Sequence, residues 1–220
     1  MATVFYDGNG KEITVESGGG STGTTATYQP YSFLEAIGDS LTYGSGYPAK
    51  VAKILQITNV TSHAVNGAQL IGTGDNNMIA QASRVSDTCD LCCIMGGTND
   101  SANVKAGKLG EIGTKDNTTY LGSYQTIIES LLAKNPKMRI ILLKPPRRYD
   151  MDDITYLETI GECIDKLHKH YGFPVIDVFN DLGMNEFNWS SFLLESDKLH
   201  FSGNGANMLS VFVAHQILAY

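Results

Sequence analysis

The sequence predicts an α/β domain built on a parallel sheet with helices on both faces. Its 220 residues and 42% hydrophobic content suit one well-packed domain. From residue 33 onward, short apolar segments alternate with stretches of helical periodicity, which is typical of βαβ units. Candidate reactive residues also follow these segments, as expected at the carboxyl edge of a parallel sheet. The five candidate strands are residues 33–37, 57–61, 91–95, 139–143 and 174–178.

Apolar residues recur at three- and four-residue spacing in two of the stretches between strands, which predicts a helix with one buried stripe in each. Pro136 ends the first helix, and Asp152 or Asp153 is the expected N-cap of the second. A last apolar helix is expected over about residues 205–218. The stripes are Leu121, Tyr124, Ile127, Ile128, Leu131 and Leu132, and then Ile154, Leu157, Ile160, Ile164 and Leu167.

Residues 1–30 differ in character from the rest of the chain. Two β-prone runs flank Asp7-Gly8-Asn9-Gly10, a turn signal, and a Gly/Ser/Thr-rich run follows from Ser17 to Thr27. Two interpretations stay open: a hairpin that edges the sheet or belongs to an attached module, and a poorly ordered tail. We predict an N-terminal hairpin or flexible Gly/Ser/Thr-rich tail over residues 1–30 and a single domain over residues 31–220.

Charge and hydropathy narrow the function classes. The formal charge is −7 and no lysine or arginine run occurs, which argues against nucleic acid or an anionic membrane as partner. No run of about 18 apolar residues is present, and the N-terminus lacks a signal-peptide pattern. A soluble protein is expected. The compartment stays open between the cytoplasm and an extracellular or virion-associated location reached by another route, and the oligomeric state is not predicted.

Cysteine and histidine spacing favours neither a disulfide framework nor a metal. Three of the four cysteines crowd one strand candidate, so we expect reduced, mostly buried thiols. The Cys89-x-x-Cys92 pair lacks a second such pair or a nearby histidine pair, and four of the five histidines lack a partner at metal-ligand spacing. No metal and no cofactor are predicted. The residues concerned are Cys89, Cys92, Cys93 and Cys163, with His63, His168, His170 and His215.

Two short segments supply the groups needed for nucleophilic catalysis by serine. Ser40 lies in Gly38-Asp39-Ser40-Leu41-Thr42, directly after the first strand candidate, and Asp197-Lys198-Leu199-His200 precedes the last helix. A serine hydroxyl is a weak nucleophile, so it needs an imidazole base and a third group that orients the base. The pattern predicts Ser40 as nucleophile, His200 as base and Asp197 as its orienting partner.

The oxyanion that forms during acyl transfer needs hydrogen-bond donors. We expect these from the backbone N–H groups of Ser40 and Gly67 and from the side-chain amide of Asn99. Gly67 lacks a Cβ and allows close approach of backbone to substrate. Asn99 lies in the tight loop Gly96-Gly97-Thr98-Asn99-Asp100 and is a neutral donor.

These motifs resemble, in order, the four sequence blocks of the SGNH hydrolases, also called the GDSL esterase/lipase family. The blocks are Gly38-Asp39-Ser40-Leu41-Thr42, Val65-Asn66-Gly67-Ala68, Gly96-Gly97-Thr98-Asn99-Asp100 and Asp197-Lys198-Leu199-His200, within about residues 31–220. The resemblance implies a flavodoxin-like three-layer α/β/α sandwich and the same roles for Ser40, Gly67, Asn99, Asp197 and His200. The chain departs from the family at Ser62 and Asn66, in and before the second block, and at Phe201, where proline is common.

The resemblance also implies ester hydrolysis through an acyl-enzyme. We expect a small-molecule or carbohydrate ester with a short acyl group such as acetyl. Trp189 and Phe192 are candidate substrate-binding aromatics or, equally, core residues. The alternatives are a lysophospholipase or thioesterase for longer acyl chains, and a non-catalytic binding or structural module in a larger secreted or virion assembly.

Two further segments have open interpretations. Residues 103–119 form a long polar loop of the kind that serves as a lid or specificity element. Arg147 and Arg148 follow the fourth strand candidate and either bind a carboxylate in the cleft or lie on a solvated loop, which is the favoured interpretation.

Overall fold

The computed structural model describes residues 2–6, 12–16, 31–72 and 74–220. Strands β1 (Ala2–Tyr6) and β2 (Glu12–Glu16) pair antiparallel, with Ala2 opposite Glu16. The flexible segment expected before residue 31 lies outside the described residues, and the boundary between 30 and 31 stays a prediction.

Five parallel strands form the main sheet, as the sequence predicts. They are β3 (Phe33–Gly38), β4 (Asn59–Ser62), β5 (Leu91–Met95), β6 (Arg139–Lys144) and β7 (Val175–Asp177), in the order β4-β3-β5-β6-β7. The predicted bounds match for β5. Edge strand β4 begins two residues later than predicted because Ile57 packs into the core, with its N–H bonded to the Ala52 carbonyl of the preceding helix at 2.8 Å.

Eight helices are present in the described part of the chain. They are α1 (Ser40–Ser45), α2 (Tyr47–Ile54), α3 (Met78–Arg84), α4 (Ser101–Lys105), α5 (Tyr120–Lys134), α6 (Thr155–Tyr171), α7 (Val178–Asp181) and α8 (Gly203–Ala219). The three helices that the sequence predicts are α5, α6 and α8, near their predicted bounds. Helix α6 begins at Thr155 with Ile154 at the cap position, so the expectation of an aspartate N-cap is wrong. Asp153 instead accepts bonds from the Thr155 N–H and hydroxyl in the turn just before the helix.

The sheet separates two apolar cores, which makes the fold a three-layer α/β/α sandwich. Successive residues of β5 alternate between the layers: Cys93 packs with α1, α2 and α8, whereas Cys92 and Ile94 pack with α3, α5 and α6. All five residues of β5 are fully buried, as expected for a central parallel strand covered on both faces. The four cysteines are free and buried, as predicted from their spacing.

The long polar loop expected over 103–119 begins after α4, which takes up residues 103–105, and it is hydrogen-bonded to helix α5. Gln125 of α5 accepts from the Gly113 N–H at 2.6 Å and donates to the Glu111 and Thr114 carbonyls, both at 3.0 Å. Hydrogen bonds from a buried side chain thus anchor the segment that the sequence indicates as a lid or specificity element. Over the described ranges, we find no helix with the length and apolar character needed to cross a bilayer.

Candidate active site

The turn that carries Ser40 lies at the carboxyl end of β3. Asp39 caps α1 by accepting a bond from the Leu41 N–H at 2.9 Å, and Ser40 is the first residue of that helix. A Cβ on Gly38 would lie 2.2 Å from Thr42 Oγ1 and 2.9 Å from the Met95 carbonyl oxygen. Only glycine therefore fits at the tight passage from strand to helix, and this places the serine hydroxyl at the sheet edge.

A buried glutamine of α3 forms two hydrogen bonds with this turn. Gln81 Oε1 accepts from the Gly38 N–H, and Gln81 Nε2 donates to the Gly38 carbonyl, both at 2.9 Å. The Gln81 side chain is fully buried. Both backbone groups of the residue two before Ser40 are thereby fixed, a role that sequence reasoning missed.

Ser40, His200 and Asp197 form one hydrogen-bonded chain. Ser40 Oγ lies 3.0 Å from His200 Nε2, and His200 Nδ1 lies 2.9 Å from Asp197 Oδ2. In the neutral tautomer whose Nδ1–H donates to Asp197, Nε2 accepts the serine proton. The arrangement has the geometry that general-base activation of a hydroxyl requires.

The Asp197 carboxylate is set by its own loop. Asp197 Oδ1 accepts from the N–H groups of Leu199 at 3.0 Å and His200 at 2.9 Å. Desolvation opposes ionisation, but these donors and the His200 ring together hold the pKa of Asp197 below its usual range. Lys198 adopts a φ of 54°, the left-handed conformation that closes this tight turn. The carboxylate is therefore ionised and oriented toward the imidazole.

A short bridge anchors the same loop to the core. Leu193 pairs with Phe201, and the Leu194 N–H donates to the His200 carbonyl at 2.8 Å. Phe192 is 3% exposed and lies in the core, so of its two predicted roles the core role is the one the structure supports. Trp189 is half-buried and stacks on Tyr149, with ring centroids 5.9 Å apart.

Gly67 and Asn99 occupy two loops that are joined to each other. Gly67 has a φ of 73°, and a Cβ there would meet no described atom within 4 Å. Glycine is thus favoured by its backbone conformation. Asn99 Nδ2 donates one of its two hydrogens to the Ala68 carbonyl at 3.0 Å, and Gln69 Nε2 donates to the Asn99 carbonyl at 2.6 Å.

Asp100 adds a second connection between these loops. Its carboxylate accepts from the N–H groups of Leu70 at 3.0 Å and Ile71 at 3.1 Å and is fully buried. Burial raises the pKa of Asp100, although these donors oppose the effect. Hydrogen bonds therefore join the segment after Gly67 to the segment that carries Asn99, and they hold the two predicted oxyanion donors relative to each other.

Burial also acts on Asp39, next to Ser40. Desolvation raises its pKa to about 6, although the Leu41 N–H favours the charged form. Asp39 faces the core beneath the turn, whereas about a third of each of the Asp197 and His200 side chains is exposed, 39% and 35% respectively. The Asp197 and His200 side chains thus lie at an open surface, and the Asp39 side chain is buried below them.

The two arginines after β6 differ in their surroundings. Arg147 donates to the Phe179 carbonyl at 3.1 Å, and its guanidinium lies 4.1 Å from the Phe179 ring centroid. Arg148 forms an ion pair with Asp150, and its side chain is 12% exposed. The expectation of a solvated loop is wrong for Arg148, which is packed against the site loops.

Comparison with known proteins agrees with this architecture. Three similar solved structures are a Lactobacillus plantarum protein, a lipase/acylhydrolase from Enterococcus faecalis and a GDSL-like lipase from Bacteroides thetaiotaomicron. Their identities to this chain are 17%, 18% and 15%, and their TM-scores are 0.75, 0.64 and 0.62. The matches cover 86%, 85% and 88% of this chain and 98%, 95% and 93% of theirs. At these identities the likeness shows a shared fold.

A search of curated proteins found no match. The model of the GDSL-like Lipase/Acylhydrolase family matches residues 36–208, which span the serine turn, both linked loops and the Asp197–His200 loop. The chain therefore belongs to the GDSL-like lipase/acylhydrolase family.

Proposed function

We propose that this protein is a serine esterase that hydrolyses carboxylic esters through an acyl-enzyme. The observation that carries the proposal is the hydrogen-bonded chain from Ser40 Oγ through His200 to Asp197, at 3.0 and 2.9 Å. Ser40 Oγ attacks the ester carbonyl while His200 Nε2 takes its proton. His200 returns that proton to the departing alcohol. It then activates the water that releases the acid and restores Ser40.

The negative charge on the tetrahedral intermediates is stabilised by three donors in this mechanism. These are the backbone N–H groups of Ser40 and Gly67 and the second amide hydrogen of Asn99. The links from Asn99 to Ala68 and from Gln69 to Asn99 support this assignment, because they hold two of the donors before substrate arrives. Donors fixed in advance need no reorganisation in the transition state.

The substrate class we favour is a short acyl ester, such as acetyl, on a small alcohol or a carbohydrate. The exposure of His200 and Asp197 suits an ester presented on a bulky polar alcohol. Leu194, the apolar residue just before the Asp197–His200 loop, is 41% exposed, but its neighbours Phe192, Leu193 and Phe201 are 3%, 1% and 7% exposed. Their burial in the core leaves them no surface for a long acyl chain. Trp189 stays a candidate for contact with the alcohol.

Hydrolysis of p-nitrophenyl acetate, butyrate and octanoate by the wild type and Ser40→Ala tests the proposal. We expect serine-dependent turnover that falls with acyl length, and an acyl-enzyme burst on the acetate. Full activity in Ser40→Ala would refute the mechanism. A preference for octanoate would favour a lysophospholipase or thioesterase, and inactivity of both proteins toward these and acetylated sugars would favour a binding module.

A further inference from the structure

The loop that carries Asn99 is hydrogen-bonded by Arg148, a largely buried residue with no part in the proposed reaction steps. Arg148 Nη1 donates to the Thr98 carbonyl at 3.2 Å and to the Tyr156 hydroxyl at 2.8 Å, and that hydroxyl donates to the same carbonyl at 2.9 Å. Tyr156 is 2% exposed. The Thr98 carbonyl, in the peptide that leads into Asn99, thus accepts two bonds from one packed pair.

The neighbouring carbonyls of this loop are also occupied. The Tyr120 hydroxyl donates to the Gly96 carbonyl at 3.1 Å, the Asp100 N–H donates to that of Gly97 at 3.0 Å, and Gln69 Nε2 donates to that of Asn99. Thr98 is the point at which a charged side chain joins this series. Hydrogen bonds from an ionised donor are stronger than neutral ones of the same geometry, so Arg148 adds a charge-assisted restraint to this series.

Arg148 and its neighbours also join the two loops of the candidate site. The Arg148 guanidinium donates to Asp150 through both Nε and Nη2. The Tyr149 N–H donates to the Lys198 carbonyl at 2.9 Å, which connects this segment to the Asp197–His200 loop. Residues 148–149 therefore contact both the loop that carries Asn99 and the loop that carries His200.

We infer that Arg148 is a positioning residue for ester hydrolysis: through the Thr98 carbonyl it fixes the Asn99 donor. The inference rests on the proposed esterase function.

Two substitutions test the role of Arg148. Arg148→Met removes the charged donor to the Thr98 carbonyl, so we expect kcat on p-nitrophenyl acetate to fall about 10- to 100-fold, less than full loss of an oxyanion donor. KM should change less than about threefold, because Arg148 does not contact the ester in this arrangement.

Tyr156→Phe is the complementary change. It removes the other donor to the Thr98 carbonyl without changing charge, so kcat should again fall with KM nearly unchanged. Arg147→Met is the matched control, since Arg147 contacts Phe179 and not the site loops. We expect its kcat and KM to equal those of the wild type.

The results separate failure of the inference from failure of the proposed function. If Ser40-dependent hydrolysis is present but Arg148→Met matches Arg147→Met in kcat, the positioning role is refuted. Should Arg148→Met not fold, Tyr156→Phe decides, and wild-type kcat in that variant refutes the role equally. A wild type that hydrolyses no ester refutes the esterase proposal itself.

Discussion

Replacement of Gln81 by leucine separates the geometry of the serine turn from the stability of the protein. Gln81 is fully buried and bonds both the N–H and the carbonyl of Gly38. Leucine of similar volume leaves the Gly38 N–H without a partner in a dry environment, whereas the Gly38 carbonyl keeps its bond from the Val65 N–H at 3.2 Å. One unmet backbone group costs about 1–3 kcal/mol, so we expect a loss of that size. A domain of this kind is stable by about 5–15 kcal/mol, and the variant should fold with a lower urea midpoint.

The effect on catalysis is expected because Gly38 precedes the nucleophile by two residues. Without the hydrogen bonds from Gln81, the turn allows Ser40 Oγ to occupy positions away from His200 Nε2. We therefore expect kcat per folded molecule to fall about tenfold or more. Gln125→Leu is the matched control. Gln125 is also a buried glutamine, 1% exposed, but its four bonds hold the 111–114 segment and helix α5, not the serine turn.

Urea unfolding at pH 7 and active-site-normalised kcat on p-nitrophenyl acetate are the two measurements. Both variants should lose stability, but only Gln81→Leu should lose kcat. Equal kcat in the two variants, at a temperature where both are folded, would refute the idea that the Gln81–Gly38 hydrogen bonds position Ser40. Unchanged stability in Gln81→Leu would refute the hydrogen-bond argument itself.

Three further predictions concern Asn99, Asp39 and the two glycines at the start of α8. Asn99→Ala should lower kcat about 10²- to 10³-fold with little change in KM, because its donor strengthens only as charge develops; a change in KM alone would remove it from the oxyanion hole. Asp39→Asn should be more stable than the wild type above about pH 6, and this gap should close toward pH 4. Gly205→Ala should destabilise by about 1–3 kcal/mol or more, since its Cβ would lie 1.8 Å from the Phe192 carbonyl oxygen, whereas Gly203→Ala has open space and should gain stability by up to about 1 kcal/mol.

The sign of the Asp39 prediction follows from its pKa, which burial raises from 3.8 to about 6. The folded state holds this proton more tightly than the unfolded state, so stability is lost as pH rises from about 4 to 6, by about 3 kcal/mol. Asparagine keeps the cap to Leu41 without the charge. A stability gap that stays constant from pH 4 to 7, measured by urea unfolding, would contradict this account. For the glycine pair, equal unfolding midpoints would show that the Phe192 backbone yields to the new methyl group.

Local patterns were sufficient to predict the sheet and the three residues that form the hydrogen-bonded chain. Strand β5 is a continuous apolar run whose bounds need no tertiary information, and Ser40, Asp197 and His200 are polar residues at strand and helix ends. The interpretation of Ile57 failed because an apolar residue in a short run fits a strand and a helix-ending turn equally well. Trp189 and Phe192 look alike in sequence, and only the pairing of Leu193 with Phe201 determines that Phe192 is buried.

The residues that sequence reasoning missed act over long separations. Gln81 binds Gly38 across 43 positions, and Arg148 binds the Thr98 carbonyl across 50. A glutamine in a short helix or an arginine after a strand carries no local signal of such a contact, because the partner is a backbone group that every residue possesses. These interactions become visible only when the strands are placed side by side.

The site thus divides into two sets of residues with different physical requirements. In the proposed mechanism Ser40 and His200 react at an open surface, where substrate and water must reach them. Gln81 and Asp100 are buried, Arg148 is largely buried, and all three bond protein groups of the site loops. Because a fixed donor or nucleophile is worth more than a mobile one, we expect these side chains to affect the rate without contacting substrate. Variants of the second set should therefore lower kcat with KM nearly unchanged, and this signature distinguishes them from surface residues that only bind the substrate.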